Sequence, residues 1–420
     1  MSIAQPPEIE TAEASRSGRP LGVYIHFPWC HSKCPYCDFF SVATNDAIPH
    51  ERYADAVISE FDRRIQEIEP ASVKSVYFGG GTPSLWEDAS LGRVINHIFA
   101  EFDLHGRDVE ITLECNPSSF DAERCRKWRT LGINRLSLGL QSLNNSDLQY
   151  LGRAHDASEG LAALDAALAS GIPFVCADLI FGLPGRMPKD ALREIRQLPL
   201  TALSHLSVYA LTIEQNTPFG ALARAGRLAI APDDCVADTF VALHQELSMA
   251  GFEHYEISNY AQRGHRSIHN TGYWKGCDYL GLGVAAWGTV HVRKSGSVSL
   301  NERQRLRYRN TTRTQRYMEL CGKNLADSPW VILPAGILAE REPIDTGTAL
   351  AERIMLGLRT KEGINLDNLA EQFDIDRWLN RRNGAIERLI MQGRLTRDGS
   401  VLCIPFDAWF IADGTISELI

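Results

Sequence analysis

Tyr24-Ile25-His26-Phe27-Pro28-Trp29-Cys30-His31-Ser32-Lys33-Cys34-Pro35-Tyr36-Cys37 sets three cysteines in a C-x3-C-x2-C run just after a short apolar strand. Three thiolates this close can chelate one soft metal centre. A cubane iron–sulfur cluster takes four ligands, so Cys30, Cys34 and Cys37 would leave one iron open to a small molecule. A four-thiolate site is closed. The alternative is a zinc knuckle, for which His26 and His31 are the only nearby candidates to complete the set.

Composition agrees with a chain able to support such a centre. With 420 residues, 44% hydrophobic and 23% charged, it can bury a large core and hold about two domains. No apolar run is long enough to span a bilayer. Residues 1–20 are polar and lack the hydrophobic stretch of a signal peptide, and they read as a disordered tail. The seven other cysteines are scattered singly, at 115, 125, 176, 235, 277, 321 and 403, which suits a reducing, cytoplasmic setting. A net charge of −9 argues against a nucleic-acid partner. One basic run, Arg303, Arg305, Arg307 and Arg309 with Arg313 and Arg316, reads as a solvated charged face.

Short apolar, β-branched segments recur at Gly22–His26, Val73–Phe78, Val109–Leu113, Arg135–Leu140, Phe174–Ile180 and Leu206–Leu211. Stretches of helical period such as Tyr53–Ile68 and Leu161–Ala169 lie between them. Alternating strand and helix implies parallel strands with helical crossovers. Six such units predict an α/β fold, a partial six-stranded (β/α)6 barrel over residues 21–260, open on one side. The strands run into polar or glycine-rich stretches: the cysteine loop, Gly79-Gly80-Gly81-Thr82-Pro83, Glu114-Cys115-Asn116-Pro117, Gln141-Ser142, and Gly182-Leu183-Pro184-Gly185. Barrels build their sites at the carboxyl ends of strands. The glycine run is a tight turn or a close backbone approach to a ligand. Glu114 and Asp178 are exposed acids, or desolvated carboxylates awaiting a cationic or hydroxyl-rich ligand. Gln141 and Arg153 stand near the same rim, and Tyr24 is either core packing or a rim contact.

The cysteine run is the signature of the radical S-adenosylmethionine (SAM) superfamily. Leu179-Ile180-Phe181-Gly182-Leu183-Pro184-Gly185, His205-Leu206-Ser207-Val208-Tyr209-Ala210-Leu211-Thr212-Ile213-Glu214 and Tyr255-Glu256-Ile257-Ser258-Asn259-Tyr260-Ala261 resemble, in order, the HemN/HemW group within it. That group comprises oxygen-independent coproporphyrinogen III oxidase and its relatives. The resemblance implies a 4Fe–4S cluster on Cys30, Cys34 and Cys37. It also implies SAM contacts by Tyr24, Gly80, Gly81, Thr82, Glu114, Gln141, Arg153 and Asp178, the glycine turn receiving the methionine amino group. The oxidase branch carries a further cysteine two positions after the third. Here that position is Phe39, which is similar to the branch proposed to be heme chaperones. His269-Asn270-x-x-Tyr273-Trp274 resembles that branch's heme-linked motif, assigning His269, Asn270 and Tyr273 to heme, with Tyr260, Trp274 and Tyr279 as stacking candidates. Trp287 stands where relatives carry a histidine. It cannot ligate iron and offers stacking or one N–H donor.

The expected function is therefore heme binding and transfer to an acceptor protein, with an electron donor as a further partner and membrane contact only through the acceptor. One alternative is coproporphyrinogen oxidation, in which reductive cleavage of SAM gives a radical that decarboxylates propionates. The other is a zinc-stabilised interaction module. Residues 261–300 read as a connecting segment and 301–420 as a helical, winged domain. Its helices are expected at Thr348–Leu358, Leu366–Gln372 and Gly384–Gln392. A hairpin of Leu395–Thr396 and Val401–Pro405 turns at Arg397-Asp398-Gly399, and with mixed charge the module suits a lid or partner-docking role.

Overall fold

The alternating apolar segments assemble into one mixed sheet. The computed structural model describes residues 18–69, 71–104, 108–293, 303–321 and 337–420. Six strands form where the pattern places them: β1 (Arg19–Phe27), β2 (Ala71–Gly80), β3 (Glu110–Cys115), β4 (Arg135–Gln141), β5 (Phe174–Phe181) and β6 (His205–Ala210). Each pairs in parallel with the next. Helices such as His50–Arg64, Asp88–Phe102 and Ala157–Ala169 return the chain between them. Most of the tail expected over 1–20 lies outside the described residues, but Arg19 and Pro20 already belong to β1.

The sheet does not end with the sixth strand. It continues through β7 (Glu253–Glu256), β8 (Asn259–Ala261), β9 (Asp278–Leu282), β10 (Trp287–Arg293), β11 (Arg303–Asn310) and β12 (Leu338–Ile344). The order across its twelve strands is β12-β11-β10-β9-β1-β2-β3-β4-β5-β6-β8-β7. β9 runs parallel to β1, giving a seventh parallel strand, and the outer strands are antiparallel. Within 261–300, β9 and β10 join this sheet, and β11 and β12 carry it past 301. The glycine-rich run 281–288 hid β9. Its Leu280 and Leu282 are fully buried, and Gly281 is required because a Cβ there would collide with the Trp287 carbonyl.

The charge run falls on β11 and its neighbours. Arg305 and Arg307 both pair with Glu352, Arg307 also with Glu342, and Arg309 with Glu340, a ladder of ion pairs. Trp287 lies under Arg309, its ring centroid 5.5 Å from the guanidinium carbon.

Beyond β12 the chain forms the expected helical module. Helices Thr346–Gly357, Leu366–Ala370 and Asp376–Met391 accompany a three-stranded sheet ordered Ile364–Asn365, Val401–Cys403, Thr396–Asp398. The third helix starts eight residues earlier than expected, at Asp376 rather than Gly384. Trp378 and Leu379 pack on the core, and Gly384 sits on an open face where its missing side chain costs the helix little. Phe406 stacks on Phe240 at 5.4 Å, and Arg266–Glu362 (2.7 Å) and Lys361–Glu253 (3.0 Å) tie the module to the barrel.

A cavity at the carboxyl ends and a closed helix at the amino ends

The strand ends surround a cavity of about 570 Å³ lined by Cys30, Cys34, Cys37, Gly80, Gly81, Thr82, Glu114, Gln141, Arg153 and Asp178. Ten of the eleven residues expected at the cluster and SAM therefore face one space. Tyr24 does not line it. Its hydroxyl meets His26 Nδ1 at 3.0 Å, and its ring packs against Tyr77 behind the cavity wall.

The cysteine loop is held by its surroundings. Thr82 Oγ1 donates to Cys30 Sγ at 3.4 Å, and Arg153 Nη1 stands 3.8 Å from Cys34 Sγ. Burial pushes the Cys30 and Cys37 thiols above the usual range, which a coordinated metal would reverse. Among the described residues, no side chain at the loop stands as a fourth ligand. Phe39 is 67% exposed at the cavity edge. The His26 ring is turned away, Nε2 meeting the Phe40 carbonyl at 2.8 Å, and burial lowers its pKa to about 4. Among the described residues no three His, Cys, Asp or Glu side chains converge on one ion. A cubane accepts each thiolate on a different iron, and three thiols line one cavity. The donor set fits the cluster.

Behind the thiols lie two desolvated carboxylates. Glu114 accepts from Tyr77 Oη at 2.8 Å and from the Gly80 N–H at 3.1 Å, and burial raises its pKa to about 7. Asp178 accepts from Ser137 Oγ at 2.9 Å and is likewise raised by burial. Buried acids facing open space favour a cationic ligand that offsets their desolvation. Gln141, at the rim, holds φ +68°, a strained value for a non-glycine residue. SAM, with an ammonium, a sulfonium and ribose hydroxyls, matches this lining.

The glycine run forms the tight turn, one of its two expected readings. The Gly81 and Thr82 N–H groups donate to the Phe27 and Trp29 carbonyls at 2.7 and 2.8 Å. A Cβ on Gly81 would come within 2.7 Å of the Pro28 and Trp29 backbone. The missing side chains thus let the turn close against the cysteine loop, fixing thiols and turn as one unit.

Sequence reading missed Thr112, Ser137, Cys176, Ser207, Tyr209, His205 and Arg135, which also line the cavity. The signal was present. Ser137, Gly139 and Gln141, Cys176 and Asp178, and His205, Ser207 and Tyr209 alternate along their strands, so each set shares one face. Cys176 Sγ lies 2.9 Å from His205 Nδ1, whose other ring nitrogen meets Tyr255 Oη at 2.8 Å.

The His269 motif is a short helix, Ile268–Trp274. Its residues separate. Asn270 faces the large cavity, whereas His269 and Tyr273, one turn apart, line a second hollow of about 340 Å³ with Leu21, Ser75 and Tyr279 at the amino ends of β1, β2 and β9. His269 is 3% exposed, with Nδ1 at 2.8 Å from Ser75 Oγ and Nε2 at 2.9 Å from Tyr273 Oη. Its ring stacks on Tyr77 at 4.8 Å, and burial pushes its pKa to about 3, leaving the imidazole neutral. Glu110 anchors the helix start, accepting from the Ile268 and His269 N–H groups at 3.0 and 2.9 Å, and pairs with buried Arg135 at 2.8 Å. Tyr279 packs edge-on to Tyr273 at 4.7 Å. Tyr260 is elsewhere, stacked on His254 at 3.9 Å.

Comparison with known proteins agrees with this geometry. Residues 24–198 match the Radical SAM superfamily model, and 345–411 the HemN C-terminal domain model. Heme chaperone HemW of Escherichia coli (strain K12) is 39% identical over 272 residues, 64% of this chain and 70% of that protein. The Haemophilus influenzae HemW is 40% identical over 276 residues, with the same shares covered. The mitochondrial Radical S-adenosyl methionine domain-containing protein 1 of Mus musculus is 35% identical over 295 residues, 70% of this chain and 65% of that one. The structure of coproporphyrinogen III oxidase (HemN) from Escherichia coli superposes with a TM-score of 0.77 over 97% of this chain and 91% of its own, at 18% identity, which shows a shared fold. The three-thiol loop, the carboxylate-lined barrel and the wing after it are those of the HemW family of radical SAM proteins, to which this chain belongs.

Proposed function

We propose that the chain is a heme chaperone. Cys30, Cys34 and Cys37 hold a 4Fe–4S cluster, and Gly80, Gly81, Thr82, Glu114, Gln141, Arg153 and Asp178 receive SAM at its open iron. Heme is bound through His269 and Tyr273 and delivered to an acceptor protein. The carrying observation is the donor set: three thiols face one cavity and Phe39 occupies the position of a further cysteine. When bound, the cluster would supply an open iron for SAM and a path for one electron from a donor protein. The chain's own residues orient the ligand. Arg153 Nη2 is fixed on the Gly139 carbonyl at 2.8 Å, and Ser137 holds Asp178 toward the cavity.

A neutral imidazole is a good iron ligand, and burial keeps His269 neutral across the physiological range. Heme must displace its bond to Tyr273 to reach Nε2, so the hollow at the amino ends has to open. Ten unpaired cysteines agree with a reducing cytoplasmic setting, with any membrane contact made through the acceptor. No helix among the described residues is long and apolar enough to cross a membrane.

Titration of the reconstituted protein with heme tests this reading. A Soret band shifted from that of free heme is expected, weakened by at least tenfold in affinity in His269→Ala, about 1.4 kcal/mol. A His269→Ala spectrum and affinity equal to those of the wild type would overturn it. Release of a divinyl product from coproporphyrinogen, with methionine and 5′-deoxyadenosine, would establish the oxidase activity instead.

A further inference from the structure

One strand face joins the two sites. On β2, Ser75, Tyr77 and Gly79 alternate to the same side. Ser75 holds His269 Nδ1, and the Tyr77 ring lies on the His269 ring with 24° between their planes. The same Tyr77 donates its hydroxyl to Glu114 Oε1. At Gly79 a Cβ would press on Tyr24, Tyr77 and Glu114 at 3.0–3.1 Å, so glycine leaves these side chains room to meet. A single tyrosine therefore separates the imidazole assigned to heme from the carboxylate assigned to SAM.

We propose that Tyr77 is a positioning residue for Glu114 and that through it heme ligation at His269 and SAM binding at Glu114 oppose one another. This rests on the heme and SAM assignments above. His269 is buried with both ring nitrogens engaged. Iron on Nε2 requires the ring to leave its place between Tyr77 and Tyr273. Tyr77 then loses the imidazole stacked on it, and the donor that holds Glu114 loses its register. In the other direction, an ammonium on Glu114 fixes the carboxylate, the Tyr77 hydroxyl and the stack, and keeps His269 shut. Linkage makes the two effects equal.

The experiment uses the full-length, cluster-reconstituted protein under anoxic conditions. Heme affinity is read from the Soret band with and without saturating SAM, and SAM affinity from equilibrium dialysis of radiolabelled SAM with and without heme. SAM is expected to weaken heme binding about fivefold or more, and heme to weaken SAM binding by the same factor. Tyr77→Phe keeps the ring and the stack but removes the donor to Glu114. It is expected to weaken SAM binding severalfold, leave heme affinity in the absence of SAM unchanged, and reduce the coupling below about twofold. Equal heme affinities with and without SAM in the wild type, while His269→Ala still impairs heme binding, would overturn the coupling and leave the heme reading standing. Full coupling retained in Tyr77→Phe would overturn the role of Tyr77. Heme binding indifferent to His269→Ala would remove the heme reading and this proposal with it.

Discussion

The two ends of the barrel are built on opposite principles. At the carboxyl ends, Glu114 and Asp178 are buried but face open space beside three thiols, and the backbone at Gln141 is strained. At the amino ends, Ser75 and Tyr273 engage both His269 ring nitrogens, and Glu110 anchors the helix that carries His269 and Tyr273. The first region holds buried acids whose desolvation a cationic ligand would offset. In the second, a ligand must compete with bonds already made. A cofactor site can stay open between ligands, whereas a cargo site that is shut at rest binds only when something opens it.

Breaking the open end should have the largest effect. Replacing Cys30, Cys34 and Cys37 together by alanine is expected to abolish the cluster, reading as a fall from about four irons per chain to none after anoxic reconstitution. Retention of iron, or stoichiometric zinc in the wild type, would undo the assignment.

Breaking the closed end should cost stability instead. Glu110→Gln leaves Arg135, almost fully buried, without its counter-charge and weakens the anchor of the His269 helix. Loss of one partner of a buried pair costs about 3–5 kcal/mol. Thermal unfolding should reveal it, with cluster content per folded molecule unchanged; an unaltered melting temperature would mean the pair contributes little.

The finest contrast is in pH. Burial raises the Glu114 carboxyl to about 7, so the empty site carries a proton below that pH. An ammonium ligand pairs with the carboxylate, and binding must expel the proton. SAM affinity should therefore hold above pH 7 and fall as pH drops below it, approaching tenfold per unit. Glu114→Gln should bind more weakly, by about 10–100-fold for a lost charged hydrogen bond, with the acid slope gone. A wild-type affinity flat between pH 5.5 and 7.5 would contradict the assignment.

Much of this was legible before the fold. The cysteine spacing, the glycine turn and the acids of β3 and β5 lie on or just after apolar strands, so short-range pattern placed them. Six parallel strands came from the alternation of apolar runs with helices. The seventh did not, because β9 sits in a glycine-rich stretch and gains its place only by pairing with β1, far away in sequence. Tyr24 was drawn into the cavity by motif resemblance, yet its side chain packs behind the wall. Asn270 was grouped with His269, although adjacent helical residues point about 100° apart and here face different hollows.

The sequence alone determined which atoms are available: three clustered thiols, two acids on apolar strands, and one imidazole followed a turn later by a phenol. Local spacing fixes such sets because neighbouring residues cannot move far from one another. Only the tertiary structure decided that β9 closes against β1, that Glu110 and Arg135 pin the His269 helix, and that Tyr77 lies between His269 and Glu114. Those are contacts between segments distant in the chain, set by burial and strand register, which no local pattern encodes.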